Sequence, residues 1–403
     1  MRKFYLALFL ASNLFSARSA FAVEPDVTPP PAWEWLKYIM ISGYVQPRFL
    51  IQHFNDAASP LADAKGDLPD GVSANDLAGS AKKDGTTTNG DSFRLRRVRL
   101  KVTVSPTSYT RGVIEIDPAS FGTWGNIFRE TYAEVDARWH PEVTTSFAMG
   151  AFKVPFNTEI EQSSGERPFI DRSFAARSMF PGDYDLGARA ITRAFDKKYQ
   201  LKLAVMNGYT FGEKAYGLTT DLNRSKDGVA HITAQFGPVQ VGLGGYIGRG
   251  QRVDAAAATV FEFPRHAVNA EVGFVHEFSQ VLGKTKLYAD VTLARNMDRG
   301  VLHDGSLPRA PGENKNELGG FVRVEQNFTK WSTLGLRYDV YTPELALKNN
   351  ARNTYSVVGV AHFTEKMKLM LEYNYALDNI HLASGAALSK VLQQFSVVLQ
   401  ARM

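Results

Sequence analysis

A chain of 403 residues without a cysteine can hold no disulfide scaffold, thiolate metal site or cysteine nucleophile. Its 46 Lys+Arg against 41 Asp+Glu give a formal charge of +5, which falls to +2 once Arg2, Lys3 and Arg18 of the first twenty-two residues are set aside, too little for a nucleic-acid binder working through a general positive field. With 12% aromatics and a mean hydropathy of −0.21 the chain is too polar for a helical membrane bundle and too aromatic for a disordered linker.

In chain order, residues 1–22 read as a secretory signal: Arg2 and Lys3, an apolar run from Phe4 to Leu10, then Ala20-Phe21-Ala22 ahead of an acidic Val23-Glu24-Pro25-Asp26. Ser12, Asn13, Ser16 and Arg18 break that run well short of the ~20 residues a spanning helix needs, so cleavage is favoured over anchoring. Residues 23–39 form a short periplasmic leader with a Pro-rich stretch and Trp33 and Trp35. From residue 40 to 403 the pattern is period-two alternation. Ile41, Gly43, Val45, Pro47, Phe49 and Ile51 oppose Ser42, Gln46, Arg48 and Gln52. Val98, Leu100, Val102 and Val104 oppose Arg97, Arg99 and Lys101, and later segments repeat the scheme as far as Val391, Phe395, Val397 and Leu399 against Gln394, Ser396 and Gln400.

About sixteen such segments follow one another, the tenth starting at Arg265. Short connections such as His140-Pro141-Glu142-Val143, Gly237-Pro238 and Thr364-Glu365 take turns with long ones near 53–91, 118–126, 153–184, 249–264 and 377–390. An even strand count, connections sorted by length and a dyad apolar pattern predict an all-β fold, a transmembrane antiparallel β-barrel of the bacterial outer membrane with short periplasmic turns and long external loops. A soluble β-sandwich also alternates, but nothing in it would sort its loops by length. Tyr44, Trp139, Tyr199, Phe328, Trp331, Tyr338, Tyr373 and Tyr375 fall mostly near segment ends, where a headgroup girdle would place them.

Eight scattered histidines make no His-Glu-x-x-His and no cluster at ligand spacing, so no metal is expected. The run Gly242 to Gly248 lies within a strand pattern and opens no helix, which argues against a dinucleotide turn, so no cofactor is expected. No Gly-x-Ser-x-Gly elbow occurs, and no catalytic residue is assigned; the expectation is that the chain is not an enzyme.

Two segments carry weight. In Arg94-Leu95-Arg96-Arg97-Val98-Arg99-Leu100-Lys101, residues Arg97, Arg99 and Lys101 share one face of a strand at intervals of about 6.8 Å, a ladder of positive charge. Phe93 and Leu95 are out of phase with Val98 and Leu100, which predicts a bulge, or a lip above the bilayer, near Arg96. The second segment runs from Ser146 to Ile191 and includes Gly150-Ala151-Phe152-Lys153-Val154-Pro155-Phe156, Phe169-Ile170-Asp171-Arg172-Ser173-Phe174 and Phe180-Pro181-Gly182-Asp183-Tyr184. Together with Asn207-Gly208 these two segments resemble the phosphate-selective porin O and P family of bacterial outer-membrane channels. What the resemblance implies is a homotrimer of sixteen-stranded barrels, a third external loop (about 153–184) folded inward, and a path lined by arginine and lysine that favours anions. Barrels of this kind usually end on an aromatic residue, whereas this chain ends Gln400-Ala401-Arg402-Met403.

The functional expectation is passive diffusion of small hydrophilic solutes, with small inorganic or organic anions such as phosphate preferred. The anion path is assigned to Arg48, Arg97, Arg99, Lys101, Lys153, Arg189 and Arg193. Glu159, Glu161 and Asp171 are the acids of the inward loop; facing the basic wall, they would instead set up the transverse field of a general porin. A barrel hydrolase and a structural or adhesive barrel are the remaining alternatives. The partners expected are anions and outer-membrane lipid, with no nucleic acid.

Overall fold

The computed structural model describes residues 34–54, 90–120, 127–210, 225–254, 259–279, 283–299, 312–380 and 390–403. The secretory signal and most of the leader lie outside the described residues. Eight strands make the first half: β1 (Ile39–Phe54), β2 (Gly90–Thr107), β3 (Thr110–Ile116), β4 (Phe128–His140), β5 (Val143–Lys153), β6 (Tyr184–Ala194), β7 (Tyr199–Met206) and β8 (Asp227–Phe236). The second half is β9 (Val239–Asp254), β10 (Thr259–Ser279), β11 (Gly283–Arg295), β12 (Asn316–Thr329), β13 (Ser332–Thr342), β14 (Arg352–Thr364), β15 (Met367–Asp378) and β16 (Lys390–Arg402). Each strand pairs antiparallel with its sequence neighbours, and β1 closes on β16 with Tyr44 opposite Arg402 and Ile51 opposite Phe395. A closed sheet leaves no free edge, so the backbone is satisfied without any disulfide.

Alternation fixes the two faces of the wall. On β13, Leu334, Leu336 and Tyr338 are exposed outward while Arg337 and Asp339 are buried inside. On β7, Leu201, Leu203 and Val205 point out and Ala204 and Met206 point in. Exposed aromatics ring the turn end: Tyr109, Trp139, Phe195, Tyr199, Phe236, Phe278, Phe328, Trp331 and Phe363. Phe93, Phe128, Tyr355, Tyr373 and Phe395 stand on the outer face nearer the loop end, so an apolar band lies between two aromatic belts, as a bilayer requires. Tyr44 does not belong to either belt. It has the phase of Gln46 and Arg48, and its hydroxyl bonds Ser164 Oγ at 2.5 Å inside the barrel; phase outranks nearness to a strand end.

Two local departures shape the wall. The β1–β2 register passes from Gln46 opposite Arg97 to Pro47 opposite Leu95, so Arg96 is an extra residue and, of the two alternatives the phase change offers, the bulge is present. It turns Arg96 and Arg97 both inward and leaves Phe93 86% exposed on the outer face. The connection expected at 249–264 is largely strand, because β9 runs to Asp254 and β10 begins at Thr259 rather than Arg265. Arg249 pairs with Glu262 at 3.3 Å and Gln251 donates to Glu262 at 3.1 Å, so cross-strand polar pairs extend the ladder past Pro264. At 21 residues β10 is about twice the 9–11 that a bilayer needs.

Candidate functional site

The site is built on the segment between Lys153 and Tyr184, which leaves β5 and folds into the barrel. Gly150, at a φ of 136°, lets β5 bend just before it; a Cβ there would lie 2.2 Å from the Thr131 carbonyl oxygen. Two short helices give the loop its form, α1 (Thr158–Glu161) and α2 (Phe174–Met179). Asn157 caps α1 by accepting from Ile160 N at 3.0 Å, and Ser173 caps α2 by accepting from Ala176 N at 3.3 Å. Glu159 joins the helices, accepting from Ser173 N at 2.9 Å and Ser173 Oγ at 2.6 Å. Arg172 completes the joint with bonds to the carbonyls of Glu159 and Ile160 and an ion pair to Asp183.

Apolar side chains of the loop have a use that alternation alone does not show. Phe156, Ile160, Phe174, Met179 and Phe180 pack on inward residues of the wall, among them Met206, Val229, Tyr246, Ala267 and Tyr341. Phe169 and Ile170 pack on Val358, Val360, Met370 and Val398, an apolar patch on the inner face of β14, β15 and β16. Burying these rings ties the loop to the wall with roughly 1.5–3 kcal/mol for each large side chain.

Polar tethers reach opposite sides of the cylinder. On the β1–β2 and β15–β16 arc, Asp171 pairs with Arg96 and, at 3.4 Å, with Arg48. There Ile170 N donates to Glu372 at 2.6 Å and Gln400 Nε2 donates to the Gly165 carbonyl at 3.1 Å. On the β7–β12 arc, Thr158 Oγ1 donates to Glu271 at 2.6 Å and Asn157 Nδ2 to Asp290 at 3.1 Å. Glu161 meets Lys202 at 2.5 Å and His231 at 3.3 Å, and His231 reaches Glu271 at 3.1 Å. Strands eight apart in a ring of sixteen face each other, so a loop bonded to β1 and β2 and also to β8, β10 and β11 crosses the lumen. Burial alone would raise the Asp171 carboxyl, but Arg96 and then Arg48 outweigh it and hold Asp171 well below the ordinary carboxylate value. Burial likewise works against ionised Glu161, yet the hydrogen bond from His231 and the charge of Lys202 keep it below its ordinary value.

The sequence-assigned residues all point inward but meet different surroundings. Arg48 is wholly buried against Asp171 and Ser396. Arg97 donates to Gln46 Oε1 at 3.3 Å. Arg99 is held by Glu115 at 3.0 Å, Asp117 at 3.2 Å and the Tyr184 hydroxyl at 2.9 Å. Lys101 pairs with Glu130 and keeps 30% of its side chain exposed. Lys153 Nζ donates to the carbonyls of Glu161 and Gln162 at 2.9 and 3.1 Å. Arg189 lies over the Tyr132 ring at 4.6 Å and pairs with Glu134 at 3.3 Å; Arg193 donates to Ser146 Oγ at 2.9 Å. Sequence reasoning missed Arg96, which the bulge turns inward, and Tyr184, Glu130 and Arg172, whose partners lie in other segments.

Among the described tethers none joins the loop to the inner face of β3, β4 or β6. That arc carries the more open charges: Arg111 is 39% exposed in its side chain, with Lys101, Asp136 and Glu130 beside it. Four carboxylates of this face are claimed by cations, Glu115 by Arg99, Glu130 by Lys101, Glu134 by Arg111 and Arg189, and Asp136 by Arg111 at 4.0 Å, and Asp185 of β6 accepts from Gly208 N at 2.8 Å. Across from these, Glu161 is claimed by Lys202. Among the described residues Lys153 donates hydrogen bonds to carbonyls and Arg193 to a hydroxyl, with no carboxylate within ion-pair distance of either.

No family model matches the chain, and no curated protein matches it in sequence. Its likeness to solved structures is in the fold. The anion-selective porin from Comamonas acidovorans superposes with a TM-score of 0.57 at 12% identity, over 91% of this chain and 99% of that one. The DcaP outer membrane channel of Acinetobacter baumannii gives 0.57 at 13%, over 91% and 97%. OmpT, an outer membrane protein of Vibrio cholerae in its trimer form, gives 0.55 at 12%, over 91% and 99%. The architecture is that of the multi-pass barrels of the bacterial outer membrane.

Proposed function

We propose that this chain is an outer-membrane porin for passive diffusion of small hydrophilic solutes, with anions such as phosphate preferred. The path runs between the loop face of Lys153, Glu161 and Gln162 and the inner wall of β2 to β7, where Lys101, Arg111, Arg189 and Arg193 stand. The observation that carries the anion preference is that Glu115, Glu130, Glu134, Asp136 and Glu161 are each ion-paired, while among the described residues no carboxylate lies within ion-pair distance of Lys153 or Arg193. A narrow passage strips part of an anion's hydration, and ammonium and guanidinium groups replace the lost contacts with charge-assisted bonds. Several weak sites in series pass the ion on, where one deep site would hold it. Arg48, Arg97 and Arg99 act here as a fixed positive background, and Arg48 also anchors the loop through Asp171. The resemblance in the basic strand and loop motifs to the phosphate-selective porins O and P and the likeness to an anion-selective porin point the same way, and the trimer form of OmpT supports a homotrimer.

A second reading, a general porin with a transverse field, draws on one observation: Arg48, Arg96, Arg337 and Lys368 line β1, β2, β13 and β15, while Glu271, Asp290, Glu317 and Glu325 line β10 to β12. Single-channel conductance in planar bilayers separates both readings from a barrel enzyme or adhesin. Reversal potentials in a KCl gradient then decide between them. An anion-leaning potential is expected, and Lys153→Gln and Arg193→Gln should each lower the anion-to-cation permeability ratio by about two-fold or more, given a charge ~8 Å away in a water-filled path. Equal permeability in the native protein, or no shift in either variant, rejects the preference.

A further inference from the structure

The aromatic belt at the loop end of the barrel is broken on one arc. Phe93, Phe128, Tyr355, Tyr373 and Phe395 mark it on β2, β4 and β14 to β16, but among the described residues of β8 to β11 no aromatic side chain is exposed in the loop-side half of the outer face. Basic side chains stand there instead. Arg295 comes two residues after Leu293, Arg249 two after Ile247 and His266 two before Val268, and those three apolar residues are exposed on the outer face. Alternation therefore turns Arg295, Arg249 and His266 outward at the loop-side edge of the apolar band. His266 is opposite both Ile247 and Arg295, and Arg249 is opposite Pro264, so the three occupy neighbouring positions on adjacent strands. Gly228 pairs with Ile247, which sets Lys226, exposed just ahead of β8, at the height of Arg249. Glu262 takes Arg249 at 3.3 Å, whereas among the described residues no carboxylate lies within ion-pair distance of Arg295 or His266.

Beside this basic edge the outer wall is concave on two sides. A groove of about 960 Å³ crosses β4 to β10 and is lined by Ala188, Ala190, Ala230, Gly245, Ile247 and Val268. A second, of about 440 Å³, crosses β10 to β13 and is lined by Ala270, Ala289, Val291 and Leu318. We propose that this arc seats an anionic phospholipid of the loop-side leaflet, its phosphate between Arg295, His266 and Arg249 and its acyl chains in the two grooves. Aromatic rings at headgroup level take any lipid, whereas guanidinium groups there select negative charge and offer paired donors to phosphate oxygens. Their stems lie along the wall while the charged ends reach the headgroups. A second copy of this chain seated on the same arc would take Arg295 out of water with no carboxylate of its own chain to pair it, a cost that a lipid phosphate removes. The site lies outside the wall and takes no part in the solute path, so the inference goes beyond the proposed channel activity.

Native mass spectrometry of the full chain in detergent, offered phosphatidylglycerol and phosphatidylcholine with the same acyl chains at equal concentration, reads the preference directly. Phosphatidylglycerol should be retained over phosphatidylcholine by about five-fold or more. Arg295→Gln should lower the affinity for phosphatidylglycerol about five-fold and leave that for phosphatidylcholine unchanged, as expected of one basic side chain beside an anionic headgroup. A Cβ added at Gly245 meets nothing within 4 Å, so Gly245→Phe fills the larger groove without a clash and should weaken both lipids. Lys330→Gln, in the turn between β12 and β13 at the other end of the barrel, should change neither. Equal retention of the two lipids by the native protein overturns the inference, and so does a preference that survives Arg295→Gln. Assembled chains that come apart in Arg295→Gln with lipid binding intact would overturn it too, and would make the occupant a second copy. Should Gly245→Phe fail to fold, the native protein and Arg295→Gln decide alone. An anion-leaning reversal potential with no lipid preference sinks this site and leaves the channel reading standing.

Discussion

Asp171 shows how much a single residue holds in place. It is the carboxylate between Arg96 and Arg48, two guanidiniums with almost no exposure, and it sits on a loop while they sit on the wall. Asp171→Asn keeps the shape and removes the charge that two buried cations share, while Ser396 Oγ still accepts from Arg48 and the Ile170 carbonyl from Arg96. Breaking a buried pair from one side costs about 3–5 kcal/mol, most of it the burden of the charge left behind. Urea unfolding of the reconstituted variant should show a loss of that size, and its reversal potential should move further toward anions. An unchanged midpoint would mean that water already screens the pair. Parity along β1 and β2 was enough to turn Arg48, Arg97 and Arg99 inward, and the break in parity at Leu95 located the bulge. Their partners were not legible, because Arg48 and Asp171 are 123 residues apart and pairing across that distance depends on how the loop folds.

At the scale of elements, strands were legible and the loop was not. A strand's two faces meet lipid and water, so the order of residues records them; the loop meets wall, water and itself in no fixed period. Hence Phe156, Phe169, Phe174 and Phe180 carried no readable role, although they seat the loop, and the apolar inner patch at Val358 and Val398 was hidden among outward valines. The β9–β10 connection expected at 249–264 is largely strand, because pairs such as Arg249 with Glu262 extend the ladder past Pro264. The loop's acids predict its response to pH. Glu161, with an ordinary value of 4.5, and Asp171, at 3.8, are both depressed in the folded chain. Their stabilisation is therefore complete above those ordinary values and is lost only as pH falls through the lower folded ones. Single-channel conductance should stay constant from pH 7 to about 4.5 and change in stronger acid as the tethers release. A step between pH 7 and 5 would contradict this.

For the molecule as a whole, stability rests on one cylinder whose outside is solvated by hydrocarbon and whose inside is polar wherever the loop does not cover it. That arrangement makes the cost of a charge depend on which way a side chain points. Val291 of β11 is exposed on the outer face between Ala270 of β10 and Gly320 of β12, with the polar Asp290 and Thr292 on either side of it turned inward. Val291→Arg should destabilise the barrel by about 2–4 kcal/mol in lipid vesicles, the midplane cost of a guanidinium against acyl chains. The same substitution at Phe278, in the belt at the turn end, should cost about 0–1 kcal/mol in charge burial, because the arginine there reaches the headgroups. Urea unfolding of both variants in the same vesicles gives the difference directly. Equal costs at the two positions would mean that the outer face does not see a graded bilayer, and an apolar exterior would then have to be covered by something other than lipid.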